Sequence, residues 1–152
     1  MTTKGVLAID IGGTKIALAT IDLAGHWLAQ TRFVIAGLDG AAIVTQLLAA
    51  SQQLVSQAQL TVTGIGVSTI GVVDGEHLKL VPTIKGWDHV NLKAALQRQF
   101  TQIPVWIEND VKAATYAEVL NGALKGTTAG LYLNLGTGIA TGLSLGDRVI
   151  RG

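Results

Sequence analysis

The stretch Leu7 to Lys15, Leu-Ala-Ile-Asp-Ile-Gly-Gly-Thr-Lys, runs an apolar segment into an acid, a glycine pair, a hydroxyl and a lysine. An aspartate closing a core strand needs a polar partner, because an unpaired buried charge is costly. Adjacent glycines let backbone N–H groups approach a ligand and take conformations closed to other residues. The set suits a magnesium-phosphate group: Asp10 for the metal, Gly12 and Gly13 for phosphate oxygens, Thr14 and Lys15 as donors. The same residues equally suit a β-hairpin with a Gly-Gly turn, Asp10 merely helping to form it.

A second group of chemical residues is Glu108-Asn109-Asp110, at the end of the apolar run Val105-Trp106-Ile107. Ligands of open α/β sheets sit beyond the carboxyl ends of the strands. An aspartate there can accept a proton from a substrate hydroxyl while the adjacent asparagine binds a neighbouring one. Plain helix capping by Asn109, with Glu108 and Asp110 favoured by the helix dipole, explains the same residues. Gly136-Thr137-Gly138 could hold phosphates or be a short hairpin turn, and no helix follows it as a dinucleotide fingerprint requires. No G-x-x-x-x-G-K-[ST] sequence occurs, which excludes a P-loop. Ser68-Thr69-Ile70-Gly71 could line a substrate cleft through hydroxyls and backbone amides. Lys85-Gly86-Trp87-Asp88 could add an aromatic wall, or Trp87 could be a packing anchor. His26, His77 and His89 have no ligand spacing.

These residues must be positioned by regular elements. Gly5–Asp10, Ile16–Asp22 and His26–Ile35 read as strands of an antiparallel meander. Asp39 is placed to cap a helix to about Gln57, with Ile43, Leu47, Leu54 and Ala58 on its apolar face and Ser51, Gln52, Gln53 and Gln57 elsewhere. Val62–Ser68 is a buried strand, completing a right-handed crossover. Gly71–Leu80 reads as a hairpin turning at Asp74-Gly75, and the segment from Pro82 to His89 as irregular. Asn91 opens a short helix to Phe100, and Pro104–Ile107 is another strand. Asn109 caps a third helix to about Leu120, packing through Ala113, Ala114, Ala117 and Leu120. Lys125–Ala129 is the expected domain boundary, followed by a hairpin of Leu131–Leu135 and Ile139–Leu145.

Composition narrows the classes. With 49% hydrophobic and 14% charged residues, a large core is attainable and part of the surface is expected to meet another domain or subunit. A net charge of +1 without a Lys/Arg cluster argues against nucleic acid. The absence of cysteine rules out disulfides and a Cys-ligated zinc site within the chain. No leader pattern precedes the first strand, and no apolar run reaches the roughly 18–20 residues of a membrane span, so no membrane association and a cytoplasmic location are expected.

The element order is that of a ribonuclease-H-like α/β domain of the actin-like ATPase superfamily, a mixed sheet with flanking helices, plus the first hairpin of a second domain. Asp-Ile-Gly-Gly-Thr-Lys, Gly64-Ile65-Gly66-Val67 ahead of Val73-Asp74, Gly86-Trp87, Glu-Asn-Asp and Leu-Gly-Thr-Gly, in this order, closely resemble the ROK family of bacterial sugar kinases and sugar-responsive repressors. The resemblance runs from Val6 to Gly152 and divides the chain into residues 1–126, an N-terminal sugar-kinase domain, and 127–152, the opening of a nucleotide-binding domain. It implies ATP-dependent phosphorylation of a hexose or N-acetylhexosamine, most often at the 6-hydroxyl. Asp110 would be the general base. Asn109, Ser68, Thr69, Gly71, Gly86 and Glu108 would face the sugar. Asp10 would sit near Mg²⁺, with Gly12, Gly13, Thr14 and Lys15 around the phosphoryl group and Gly136, Thr137 and Gly138 on the nucleotide phosphates.

The chain departs from the family at Thr69-Ile70, where Pro-Gly is common, and at Thr83 after Pro82, where asparagine is common. It departs again at Lys112 and at Ile139-Ala140-Thr141. These changes bear on sugar identity more than on reaction type. The family continues with a Glu-x-Gly-His segment, a zinc site and most of the nucleotide domain, so the chain is expected to be a partial kinase with little turnover alone. Its apolar hairpin is expected to support a homo-oligomer, as a dimer. The alternatives are a sugar-responsive regulator of the same family and a non-catalytic sugar-binding protein.

Overall fold

The computed structural model describes residues 2–75, 77–81, 83–136 and 138–151. They fall into two compact units, Met1–Ile107 and Glu108–Gly152. The first unit begins with the expected meander, β1 (Thr3–Ile11), β2 (Lys15–Asp22) and β3 (Trp27–Val34), then α1 (Gly40–Gln57) and β4 (Leu60–Thr69). A small hairpin follows, β5 (Val72–Asp74) and β6 (His77–Lys79), then a 3₁₀ turn (Trp87–His89), α2 (Leu92–Gln99) and β7 (Val105–Asn109). The main sheet has five strands in the order β3-β2-β1-β4-β7. β1 runs antiparallel to β2 and parallel to β4, so the chain leaves β3, crosses through α1 and returns beside β1.

Strand alternation sets which residues meet the core. Leu7, Ile9 and Ile11 of β1, Ile16 and Leu18 of β2, and Ile65 and Val67 of β4 are buried in one cluster with Ile43, Leu47 and Leu54 of α1. The side chain of Asp39 caps α1 by accepting the Ala42 N–H at 2.9 Å. Ser51 corrects the expected face of this helix. It is fully buried because positions 43, 47 and 51 stack one turn apart on the stripe that covers the sheet. Its hydroxyl has no partner among the described residues.

The β2–β3 turn is held by Asp22. One carboxylate oxygen accepts the Ala24 and His26 N–H groups at 2.8 and 2.9 Å, and the other meets His26 Nδ1 at 3.0 Å. The backbone and then the ring of His26 hold the Asp22 carboxyl below its ordinary value of 3.8. A lowered carboxylate pKa stabilises the folded turn above the ordinary value and loses that contribution as pH falls through the lower, folded one. Hydrogen exchange at Ala24 and His26 is therefore expected to gain an opening component below about pH 3.8. Asp22→Asn should abolish that pH dependence, and an unchanged profile in the variant would contradict the assignment.

In the second unit, α3 (Asp110–Asn121) precedes β8 (Ala129–Leu135), β9 (Ile139–Leu145) and β10 (Arg148–Val149), a sheet ordered β10-β9-β8. The packing side of α3 is Val111, Thr115 and Val119. It is not the expected set of Ala113, Ala114, Ala117 and Leu120, of which Ala117 and Leu120 are exposed. The cause lies across the interface, at Gly142 of β9. A Cβ at Gly142 would lie 1.9 Å from Thr115 Oγ1, so glycine is what admits the threonine. The buried hydroxyl of Thr115 is satisfied by the Val111 carbonyl at 2.6 Å. On the other face of the hairpin, register pairs Leu131 with Leu143 and Leu135 with Ile139, and all four are exposed. Among the described residues no helix is long and apolar enough to cross a membrane.

Candidate functional site

Asp10 lies on the side of β1 opposite Leu7, Ile9 and Ile11, and it is exposed rather than buried. The expected polar partner exists nonetheless: Ser68 Oγ donates to Asp10 Oδ1 at 3.0 Å. Beyond Asp10 the chain turns tightly, the Gly12 N–H donating to the Lys15 carbonyl at 3.0 Å and the Ile35 N–H to the Thr14 carbonyl at 2.9 Å. The hairpin reading of this segment is therefore correct as geometry. It leaves the Thr14 hydroxyl and the Lys15 ammonium exposed and without partners among the described residues, so the turn retains donors for an anion.

Two distant segments meet this turn. A Cβ on Gly13 would lie 3.5 Å from Thr83 Oγ1 and 3.7 Å from Ile70 Cδ1. Thr69 is fully buried and its hydroxyl donates to the Ile70 carbonyl, so only its backbone is offered to a ligand. Gly71 has φ +88°, and a Cβ there would strike Val81 Cγ2 at 2.4 Å and the Lys79 carbonyl at 2.5 Å. Only glycine fits both that conformation and that space. Gly86 is left-handed (φ 72°), and the neighbouring Lys85 carbonyl accepts the Gly40 N–H at 2.9 Å, tying this loop to the start of α1. Trp87 is fully buried in the core cluster, which makes it the packing anchor rather than a ligand wall. Pro82 lies outside the described residues.

In the second unit Asn109 caps α3, as expected: its Oδ1 accepts the N–H groups of Val111 and Lys112 at 3.1 and 3.2 Å. Its Nδ2 donates to Asp110 Oδ1 at 3.0 Å, and that oxygen also accepts the Val111 N–H at 2.9 Å. One oxygen of Asp110 is thus fixed, while Oδ2 has no hydrogen-bond partner among the described residues. The cap and the oriented acid are one structure. Glu108 is committed internally, Oε1 accepting the Asn109 N–H at 3.1 Å and Oε2 pairing with Arg151 Nη2 at 3.0 Å. Lys112, one of the atypical residues, donates to the Arg151 carbonyl. Gly136 and Gly138 are exposed and close the β8–β9 turn through a Gly136 N–H to Gly138 carbonyl bond at 3.0 Å. Thr137 lies outside the described residues.

Sequence reasoning missed Arg151 and the tie between Ser68 and Asp10. Neither carries a local signal, because the partners are 43 and 58 positions apart.

The mixed five-stranded sheet with flanking helices, like that of the sugar kinases it matches among solved structures, is an α/β domain of the actin-like ATPase fold. The chain belongs to the ROK family, which it matches over residues 6–152. It is similar to the beta-glucoside kinase of Listeria monocytogenes, 32% identical over 149 residues that cover 97% of this chain and 49% of that one. It is also similar to the xylose repressor of Bacillus subtilis, 29% identical over 96 residues, 63% of this chain and 25% of that one. Among solved structures, a ROK family glucokinase from Streptomyces griseus in complex with glucose and AMPPNP matches with a TM-score of 0.78 at 31% identity, covering 97% of this chain and 46% of that one. The chain thus spans about half the length of the kinases it matches.

Proposed function

We propose that the chain is the part of an ATP-dependent sugar kinase that carries the general base, acting on a hexose or N-acetylhexosamine at the 6-hydroxyl. The observation that carries this reading is the Asp110 carboxylate, with one oxygen held by Asn109 Nδ2 and the Val111 N–H and the other without a partner among the described residues. A base needs that arrangement: a fixed plane and a free oxygen to receive the proton. Asn109 binds a neighbouring sugar hydroxyl, and Ser68, Thr69, Gly71 and Gly86 contribute to the sugar side, Thr69 through its backbone; Glu108 joins them only where a sugar hydroxyl displaces its pairing with Arg151. Lys15, Thr14 and the glycine turn bind the phosphoryl group, and Gly136, Thr137 and Gly138 the nucleotide phosphates.

The residues around Asp10 fit magnesium in one particular way. No group of three or more His, Cys, Asp or Glu among the described residues could hold a metal. A single exposed carboxylate suits an ion that keeps several waters and is otherwise held by substrate phosphates. When bound, the ion supplies neutralisation of charge on the phosphoryl oxygens. The proposal extends to the division into residues 1–126 and 127–152 as functional domains, to a cytoplasmic homo-oligomer, and to little turnover by the 152 residues alone. The runner-up, a sugar-responsive regulator, is favoured by no feature of Asp110, which a binding function would not need.

The test is a coupled ADP-release assay on a kinase of full length that carries these residues, since the chain spans about half the length of the kinases it matches, with a panel of hexoses and N-acetylhexosamines beside their 6-deoxy analogues. Turnover confined to sugars with a free 6-hydroxyl is the expected result. Saturable sugar binding with no ADP release from any of them would favour the regulator.

A further inference from the structure

We propose that Ser68 is a positioning residue for the Asp10 carboxylate, deciding which of its oxygens is offered to a phosphate-bound cation. The inference rests on the reading of Asp10 as the cation-facing acid. β1 and β4 are parallel and in register at this point, so that Asp10 and Ser68 are direct Cα partners. Side chains of directly paired residues lie on the same face of a sheet. Ser68 Oγ reaches Asp10 Oδ1 at 3.0 Å, and no other described residue bonds to the Asp10 side chain.

The two partners differ in how firmly they are held. Asp10 is exposed, whereas Ser68 is half-buried on β4, an interior strand flanked by β1 and β7. On either side of Ser68, Val67 and Thr69 are buried. Two residues back on the same face, Gly66 has no side chain to offer. Ser68 is therefore the fixed point and Asp10 the side chain it orients. A hydroxyl is suited to the task because it donates one hydrogen bond and adds no charge. Lysine at this place would compete with the cation, and a second carboxylate would repel Asp10. With Oδ1 occupied, Oδ2 is the oxygen left to a cation, and the carboxylate need not be ordered when the ligand arrives.

Manganese with ADP serves as a paramagnetic probe, read as broadening of backbone amides in ¹H–¹⁵N spectra of the 152-residue chain. Broadening is expected at Ile11, Gly12 and Gly13 and should vanish in Asp10→Asn. Ser68→Ala should need roughly three- to tenfold more probe for equal broadening, the range for losing a hydrogen bond to a charged but exposed group. Ser68→Thr, which keeps the donor, should restore the response, and amide shifts of Leu7 and Ile65 should stay in place as evidence of an intact sheet. Should alanine disturb the sheet, Ser68→Cys preserves volume with a weak donor and is expected to show the same weakening. No local broadening in the unmodified chain, or broadening that survives Asp10→Asn, would overturn the reading of Asp10. Broadening lost in Asp10→Asn but equal in the unmodified chain and Ser68→Ala would overturn the role of Ser68 alone.

Discussion

Asp110→Asn, made in a kinase of full length that carries these residues, is expected to lower sugar-dependent ADP release by about two to four orders of magnitude, the usual contribution of a positioned general base. The substitution is close to isosteric, and its cost should fall on chemistry rather than folding. The new amide oxygen can take the place of Oδ1, which accepts from Asn109 Nδ2 and the Val111 N–H. The cap of α3 survives in any case, since Asn109 Oδ1 accepts from Val111 and Lys112 independently of Asp110. What is lost is Oδ2, the only oxygen of the pair without a partner among the described residues, and an amide nitrogen cannot receive a proton there. kcat and kcat/KM should therefore fall together with little change in KM, the pattern of an interaction made only in the transition state. Residual turnover is expected, because positioning and charge neutralisation remain. A variant that retains activity within about tenfold would remove Asp110 from the role of base.

Local physics explains what the sequence made legible. Asp39, Asn91 and Asn109 each cap the helix predicted for them, because a cap is a bond between a side chain and N–H groups two or three residues on. The meander and the parallel β1–β4 pair follow from alternation and from the length of the intervening helix. The illegible features depend on what lies opposite. Thr115 is buried because Gly142 leaves room for it, and nothing in the helix itself ranks threonine above Ala117 as a packing residue. Ser51 is buried by its place in a stripe, against its polarity. Asp10 occupies the exposed face because its neighbours Ile9 and Ile11 take the core face, and its partner comes from a strand that no spacing rule connects to it. At the candidate site, Glu-Asn-Asp could be read as chemistry or as capping. The geometry joins the two readings, since one asparagine side chain caps α3 and orients the acid.

Trp87→Ala should cost about 3–5 kcal/mol of stability, the range for truncating a buried aromatic. Against the 5–15 kcal/mol that holds a typical domain, that is a large fraction. Trp87 is 0% exposed, among the largest fully buried side chains, and packed with Ile84, Leu78 and Leu92 in the core cluster. Its Nε1 has no hydrogen-bond partner among the described residues. Trp87→Phe therefore gives up ring volume but no hydrogen bond, and should cost clearly less than alanine. Urea unfolding followed by fluorescence separates the cases, because the other tryptophans, Trp27 and Trp106, are 66% and 64% exposed and already sense water in the folded state. The blue-shifted part of the folded emission should belong to Trp87 and disappear in either variant. The consequence reaches the site through the chain itself: Lys85 and Gly86, immediately before the anchor, contact Gly40 at the head of α1, and Thr83 lies against Gly13 in the phosphate turn. A loosened anchor should thus weaken ligand binding only in proportion to lost stability, and Trp87→Phe should bind nearly normally. Full stability in Trp87→Ala combined with loss of sugar binding would reverse the assignment and return this tryptophan to the ligand.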